Sequence, residues 1–113
     1  MSELSREEQD IVLNFEAAVN MSAEEIEDWL KTEESNSVGQ KESEDAESKG
    51  HQSGRHIVKI LRKAESDYTK DDFAHMKKVI SYIHRHSAQQ PSGSIVNTPW
   101  RYSLMNWGHD PTK

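Results

Sequence analysis

Residues 69–87 read TKDDFAHMKKVISYIHRHS, and the helix they encode decides the fold class. Thr69 can cap the first free backbone N–H groups, with Asp71 and Asp72 placed where the positive end of a helix dipole favours carboxylates. Phe73, Met76, Val79, Ile80 and Ile83 then recur at spacings of three and four, the period of one buried helical stripe. On the other side fall His75, Lys78, Tyr82, Arg85 and His86, which read as a cationic, solvent-facing surface with an aromatic ring in it. Such a side can contact phosphates, stack on a base, and gain charge as imidazoles protonate at lower pH.

One helix upstream, from Ser53 or Gly54 onward, the same partition is sharper. Ile57, Ile60, Leu61 and Ala64 fall on one side. Arg55, Lys59, Arg62 and Lys63 fall within about a quarter turn opposite, at 100° per residue. This predicts a ridge of four cations able to meet several phosphates, with Arg55 also able to offer a bidentate donor to a base edge. The same pattern is equally what a solvated surface helix shows. The connection SDYT between these two helices is open to a helix-turn-helix reading, although any two consecutive helices look alike at this level.

Towards the N-terminus, Ser5 followed three residues later by Glu8 spells a capping box, and Ile11, Val12, Phe15, Ala18 and Val19 share a face after it. A second box, Ser22 with Glu25, starts a shorter helix with Ile26, Trp29 and Leu30 on its buried side, ending near Thr32. Between 33 and 53 only Val38 and Ala46 are apolar, too little to offset the ~1–2 kcal/mol per residue that ordering a backbone costs. That stretch reads as a mobile acidic linker, either a solvated spacer or a segment folding back over the basic half. After Pro91 and Gly93, Trp100, Tyr102 and Leu104 alternate with Arg101, Ser103 and Met105, which predicts an extended aromatic strap over the core; a helical turn from 101 to 107 is the competing reading.

Charge divides along the chain. Residues 1–50 hold 15 Asp and Glu against 4 Lys and Arg, and residues 51–113 hold 5 against 10, so the overall −6 combines a net of −11 with one of +5. All six His and most aromatics lie in the basic part. That is the composition of a polyanion-binding surface with an acidic half able to shield it. With no Cys, disulfides and thiolate metal sites are excluded. An acidic N-terminus and the lack of a long apolar run predict a soluble, cytoplasmic protein without a membrane span, or a nucleoid or nuclear one if it binds nucleic acid.

Enzyme signatures are missing: no phosphate-cradling Gly-rich loop, no nucleophile elbow, no His-Glu-x-x-His. The nearest acid-base group is His109 beside Asp110, and sequence neighbours rarely face one another. Metal pairs on helices sit four apart, whereas His84 and His86 are two apart and His51 and His56 five apart. Neither catalysis nor a cofactor or metal is therefore expected.

The stretches SVGQ at 37–40, SGRHIVKILRK at 53–63, DDFAHMKKVISYIHRH at 71–86 and WRYSLMNWGHDP at 100–111 resemble a family filed as a domain of unknown function, found mainly in bacteria and fungi, some of whose members are labelled DNA-binding. The resemblance implies a compact, mostly helical domain with a nucleic-acid role and supplies no catalytic residues.

The resulting expectation is one all-α domain over 1–113: a helical pair at 5–32, a mobile linker at 33–53, a basic helical pair at 54–87 and a strap at 91–113, about four helices in a small bundle. Its expected function is non-catalytic association with DNA or RNA, duplex or single-stranded, through Arg55, Lys59, Arg62, Lys63, Lys78, Arg85 and Arg101. The alternative is a protein-interaction module whose acidic half binds a basic partner or neutralises its own basic half.

Overall fold

A computed structural model describes residues 4–38 and 49–113. Six α-helices occupy them: α1 (Arg6–Ala18), α2 (Ala23–Leu30), α3 (Glu33–Asn36), α4 (Lys49–Leu61), α5 (Lys70–Ser87) and α6 (Pro99–Asn106). One turn of 3-10 helix, Glu65–Asp67, joins α4 to α5. The described residues contain no strand, and the fold class is all-α.

Three helices begin with the caps that the sequence announces. Ser5 and Glu8 bond reciprocally at 3.1 and 2.9 Å, Ser22 and Glu25 do the same, and Thr69 exchanges bonds with Asp72 at 3.1 and 2.9 Å. Each box satisfies backbone donors that would otherwise lack a partner, worth about 1 kcal/mol. The apolar stripes meet as expected: Val12 and Phe15 of α1, Ile26 of α2, Ile57 and Ile60 of α4, Met76, Val79 and Ile83 of α5, and Leu104 of α6 form one buried cluster.

The pairing of helices departs from the chain order. α1 packs against α5 and α2 against α4, so each acidic helix lies on a basic one. α6 bridges α2, α4 and α5. Two details of the basic stripe change accordingly: Val58 is buried beside Leu30 of α2, while Ala64 is exposed because α4 ends at Leu61.

The expected linker is shorter than 33–53. Thr32 caps α3 by accepting from Ser35 N at 3.1 Å, and the buried Ser35 hydroxyl donates to Asn106 Oδ1 at 2.5 Å. α4 begins at Lys49, a turn before the expected start, because its first turns lie against α6. A Cβ on Gly54 would come within 2.8 Å of Asn106 O and 2.9 Å of Leu30 Cδ2. Here glycine permits an approach no other residue allows. The acidic centre at 42–47 lies outside the described residues.

The expected strap is a helix from Pro99 onward. Thr98 accepts from Arg101 N at 3.2 Å, and Pro99 takes the first-turn position where a missing N–H costs nothing. Alternation in Trp100 to Met105 thus coexists with helical geometry. Gly108, at φ +83°, ends the helix in the left-handed region and offers its carbonyl to Asn20 and Met21 N at 3.1 and 3.2 Å.

Candidate functional site

Arg55 and Lys59 of α4 and Arg62 and Lys63 just beyond its end line one groove, but two of them are paired, Arg62 by the acidic half and Lys63 from within the basic half. Arg62 makes a two-pronged ion pair with Glu27 of α2. Lys63 Nζ lies 2.7 Å from Asp72 Oδ2. Asp72 is buried and also accepts from Thr69 N at 2.9 Å and faces His56 Nε2 at 3.0 Å. Burial raises its pKa, but the Lys63 ammonium, the Thr69 amide and His56 together outweigh that and hold the carboxyl well below the ordinary range. Asp72 is thus at once a helix cap and the anchor of Lys63. Arg55 and Lys59 remain exposed, beside Glu27, Leu30, Val58, Arg62 and Lys63 in a groove of about 480 Å³ between α2 and α4.

On α5, Lys78 and Arg85 are exposed and stand about 10 Å apart along the helix, at 1.5 Å per residue. They form one side of a second, more polar hollow of about 610 Å³, with Ser81 and Tyr82 between them. Lys49 and Gly50 of α4 and Ser103, Asn106 and Trp107 at the end of α6 complete it. Among the described residues no carboxylate lines this cleft.

Tyr82 was expected to face solvent with His75 and His86; all three are half-buried. α6 covers that flank of α5, so α5 packs on two sides. Tyr82 stacks on Trp107 at a ring separation of 4.3 Å and on His86 at 5.2 Å. His75 lies parallel to Trp107 at 6.0 Å and to His56 at 4.3 Å, and its Nε2 is 2.8 Å from Ser53 Oγ. Burial, with the nearby His56 and Lys78, brings the His75 pKa down to about 4, so the ring is neutral at physiological pH. Burial also raises the Tyr82 phenol, partly opposed by Ser103 and Arg85.

Arg101, the seventh expected cation, is turned inward. Its Nε and Nη2 donate to Asp110 at 3.2 and 3.1 Å, and Nη1 donates to Val96 O at 2.9 Å. Burial raises the Asp110 pKa, but Arg101 and Thr112 more than compensate and bring it down to about 2. His109 does not pair with Asp110; its Nδ1 donates to Ala18 O at 2.7 Å. The structure therefore places Arg101 in a clamp on the C-terminal turn, apart from the ridge and from the cleft.

Chemically, the cleft offers exposed cations, ring edges and the hydroxyls of Ser81, Tyr82 and Ser103. Among the described residues no three His, Asp or Glu are grouped to hold a metal ion, and no helix is long and apolar enough to cross a membrane. The Ser53–His75 pair has the atoms of a nucleophile and base, but Ser53 is only 3% exposed. Lys49, Ser103 and Trp107 were not singled out as binding residues. The sequence alone assigns Lys49 to the linker and the other two to the strap.

A family model described as "Protein of unknown function (DUF3140)" matches residues 14–105, from the middle of α1 into α6. No curated protein and no solved structure matches the chain. The matched span takes in α2 to α5 and most of α6, with Asn106 and Trp107 of the cleft just beyond it, and on it the chain belongs to the DUF3140 family.

Proposed function

We propose that this protein associates non-catalytically with nucleic acid through the basic sides of α4 and α5, with backbone phosphates meeting Arg55, Lys59, Arg62, Lys63, Lys78 and Arg85. The observation that carries the reading is the charge left over after the acidic helices have packed. Lys59, Lys78 and Arg85 are exposed and make no ion pair among the described residues. In a chain of net −6, cations without an ion pair among the described carboxylates favour a local positive field. Arg62 and Lys63 are paired but their side chains stay 51% and 33% exposed, whereas Arg101, 18% exposed and turned inward onto Asp110, is left out of the contact set.

The second reading, a self-neutralised interaction module, draws on the ion pairs Glu27–Arg62 and, at 3.7 Å, Glu7–Lys77, which cross from acidic to basic helices. Fluorescence anisotropy with labelled DNA and RNA separates the two. Nucleic-acid association gives binding whose log affinity falls linearly with log salt, at about −0.9 per phosphate contact on duplex DNA and about −0.7 on single strands. The interaction module gives no binding even at about 50 mM salt.

A further inference from the structure

We infer that the cleft between α4, α5 and α6 accepts one unpaired nucleotide of a single-stranded nucleic acid, its phosphate held by Lys49, Lys78 and Arg85. The inference rests on the nucleic-acid reading and narrows it. At about 610 Å³ the cleft lies within the ~300–1,000 Å³ range of small-ligand sites, so it can admit one nucleotide. A duplex keeps its bases paired and stacked inside a wide cylinder, and no base of it can enter such a hollow. A single strand can splay a base out.

The lining fits this ligand in three ways. Among the described residues, three cations and no carboxylate face the hollow, which suits a phosphate. The Tyr82 ring is held parallel to both Trp107 and His86, so the wall is rigid before the ligand arrives and little ordering is left to pay on binding. Because Tyr82 and Trp107 are stacked on each other, they offer a base their edges and the indole N–H rather than the face between them. That N–H makes no hydrogen bond among the described residues and is not sealed from solvent. It lies at the cleft wall, where a Cβ on Gly50 would come within 3.3 Å of it.

Base identity is read weakly. Asn106 also lines the cleft, but its amide is committed: Oδ1 accepts from Trp29 Nε1 at 2.7 Å and from Ser35 Oγ at 2.5 Å, and Nδ2 donates to Ser35 O at 3.1 Å. Among the described residues the Trp107 N–H, the Ser81 hydroxyl and the hydrogen-bonded Ser103 and Tyr82 hydroxyls remain, and a hydroxyl can donate or accept as the base requires. Binding is therefore sequence-tolerant.

The test uses the full chain and labelled single-stranded DNA, single-stranded RNA and duplex DNA of about 20 nucleotides at about 50 mM salt. Single strands are expected to bind at least about tenfold more tightly than the duplex. The double variant Lys78→Glu with Arg85→Glu should lose most of that affinity, and Arg55→Glu with Lys59→Glu much less. Quenching of tryptophan fluorescence by single strands should fall sharply in Trp107→Phe. The DNA and RNA arms show whether the 2′-hydroxyl contributes. Equal affinity for duplex and single strands, or single-strand binding indifferent to the Lys78 and Arg85 reversals, would overturn the cleft while leaving nucleic-acid association intact. Absence of binding to all three would remove both.

Discussion

The indole of Trp29 and the side-chain amide of Asn106, 77 residues apart in sequence, share a 2.7 Å hydrogen bond that ties α2 to the end of α6. Asn106 is 1% exposed, and each of its polar atoms has a partner, Ser35 being the other. It holds the α3 turn, α2 and the cleft wall in one register.

Replacing Asn106 by Leu keeps the volume roughly constant but strands the Trp29 N–H and the Ser35 hydroxyl. The expected loss is about 2–4 kcal/mol, read as a lower urea midpoint with unchanged slope. A stability equal to wild type would mean these bonds do not hold the fold.

Gly54→Ala sets helix propensity against packing. Alanine in a helix interior gains about 1 kcal/mol over glycine. Here its Cβ would meet the backbone oxygen of Asn106 at 2.8 Å, and overpacking of this sort costs about 1–3 kcal/mol. Net destabilisation is expected in thermal melts; a raised melting temperature would contradict the close approach of α4 and α6.

Stability should fall with acid in two steps. His75 has its pKa lowered from 6.5 to about 4, with burial the largest cause and His56 next. Between these values the unfolded chain binds a proton that the folded ring does not, so stability declines as pH drops through that window. Asp110, held at about 2 against an ordinary 3.8, and Asp72, also depressed, contribute stability above the ordinary value that is lost as pH falls below it. Melting temperature against pH should show both steps, and His75→Gln should remove the first alone.

Arg101→Met tests the clamp. Arg101 and Asp110 side chains are 18% and 12% exposed, so removing the guanidinium leaves a largely buried carboxylate unpaired, at a cost of about 2–4 kcal/mol. Affinity for nucleic acid should not change at a temperature where the variant is folded. A loss of affinity with stability intact would return Arg101 to the binding surface.

Local rules made much of this fold legible. Ser5–Glu8, Ser22–Glu25 and Thr69 announced their helices because a cap is a short-range bond between neighbours in sequence, and the stripes of α1, α2 and α5 followed from spacing. What failed depended on contacts made across the chain. Lys49 to Ser53 carries a glycine and little apolar surface, and is helical because α6 comes close to Gly50 and Gly54. Trp100 to Met105 alternates like a strand, and the Thr98–Pro99 start was the overlooked helix signal. The cationic residues and the chance that the acidic half neutralises them were visible, but the particular pairs were not: nothing local in sequence couples Arg62 to Glu27 or Arg101 to Asp110. The cleft is assembled from three helices that no sequence window spans.

The most direct test of the account is anisotropy of a labelled single-stranded DNA of about 20 nucleotides titrated with wild-type protein and with the Lys78→Glu, Arg85→Glu double variant at about 50 and about 200 mM salt. The account expects wild-type binding that weakens steeply with salt and a variant that remains helical yet binds at least about tenfold more weakly. Wild-type affinity in the folded variant, or no wild-type binding at the lower salt, would contradict it.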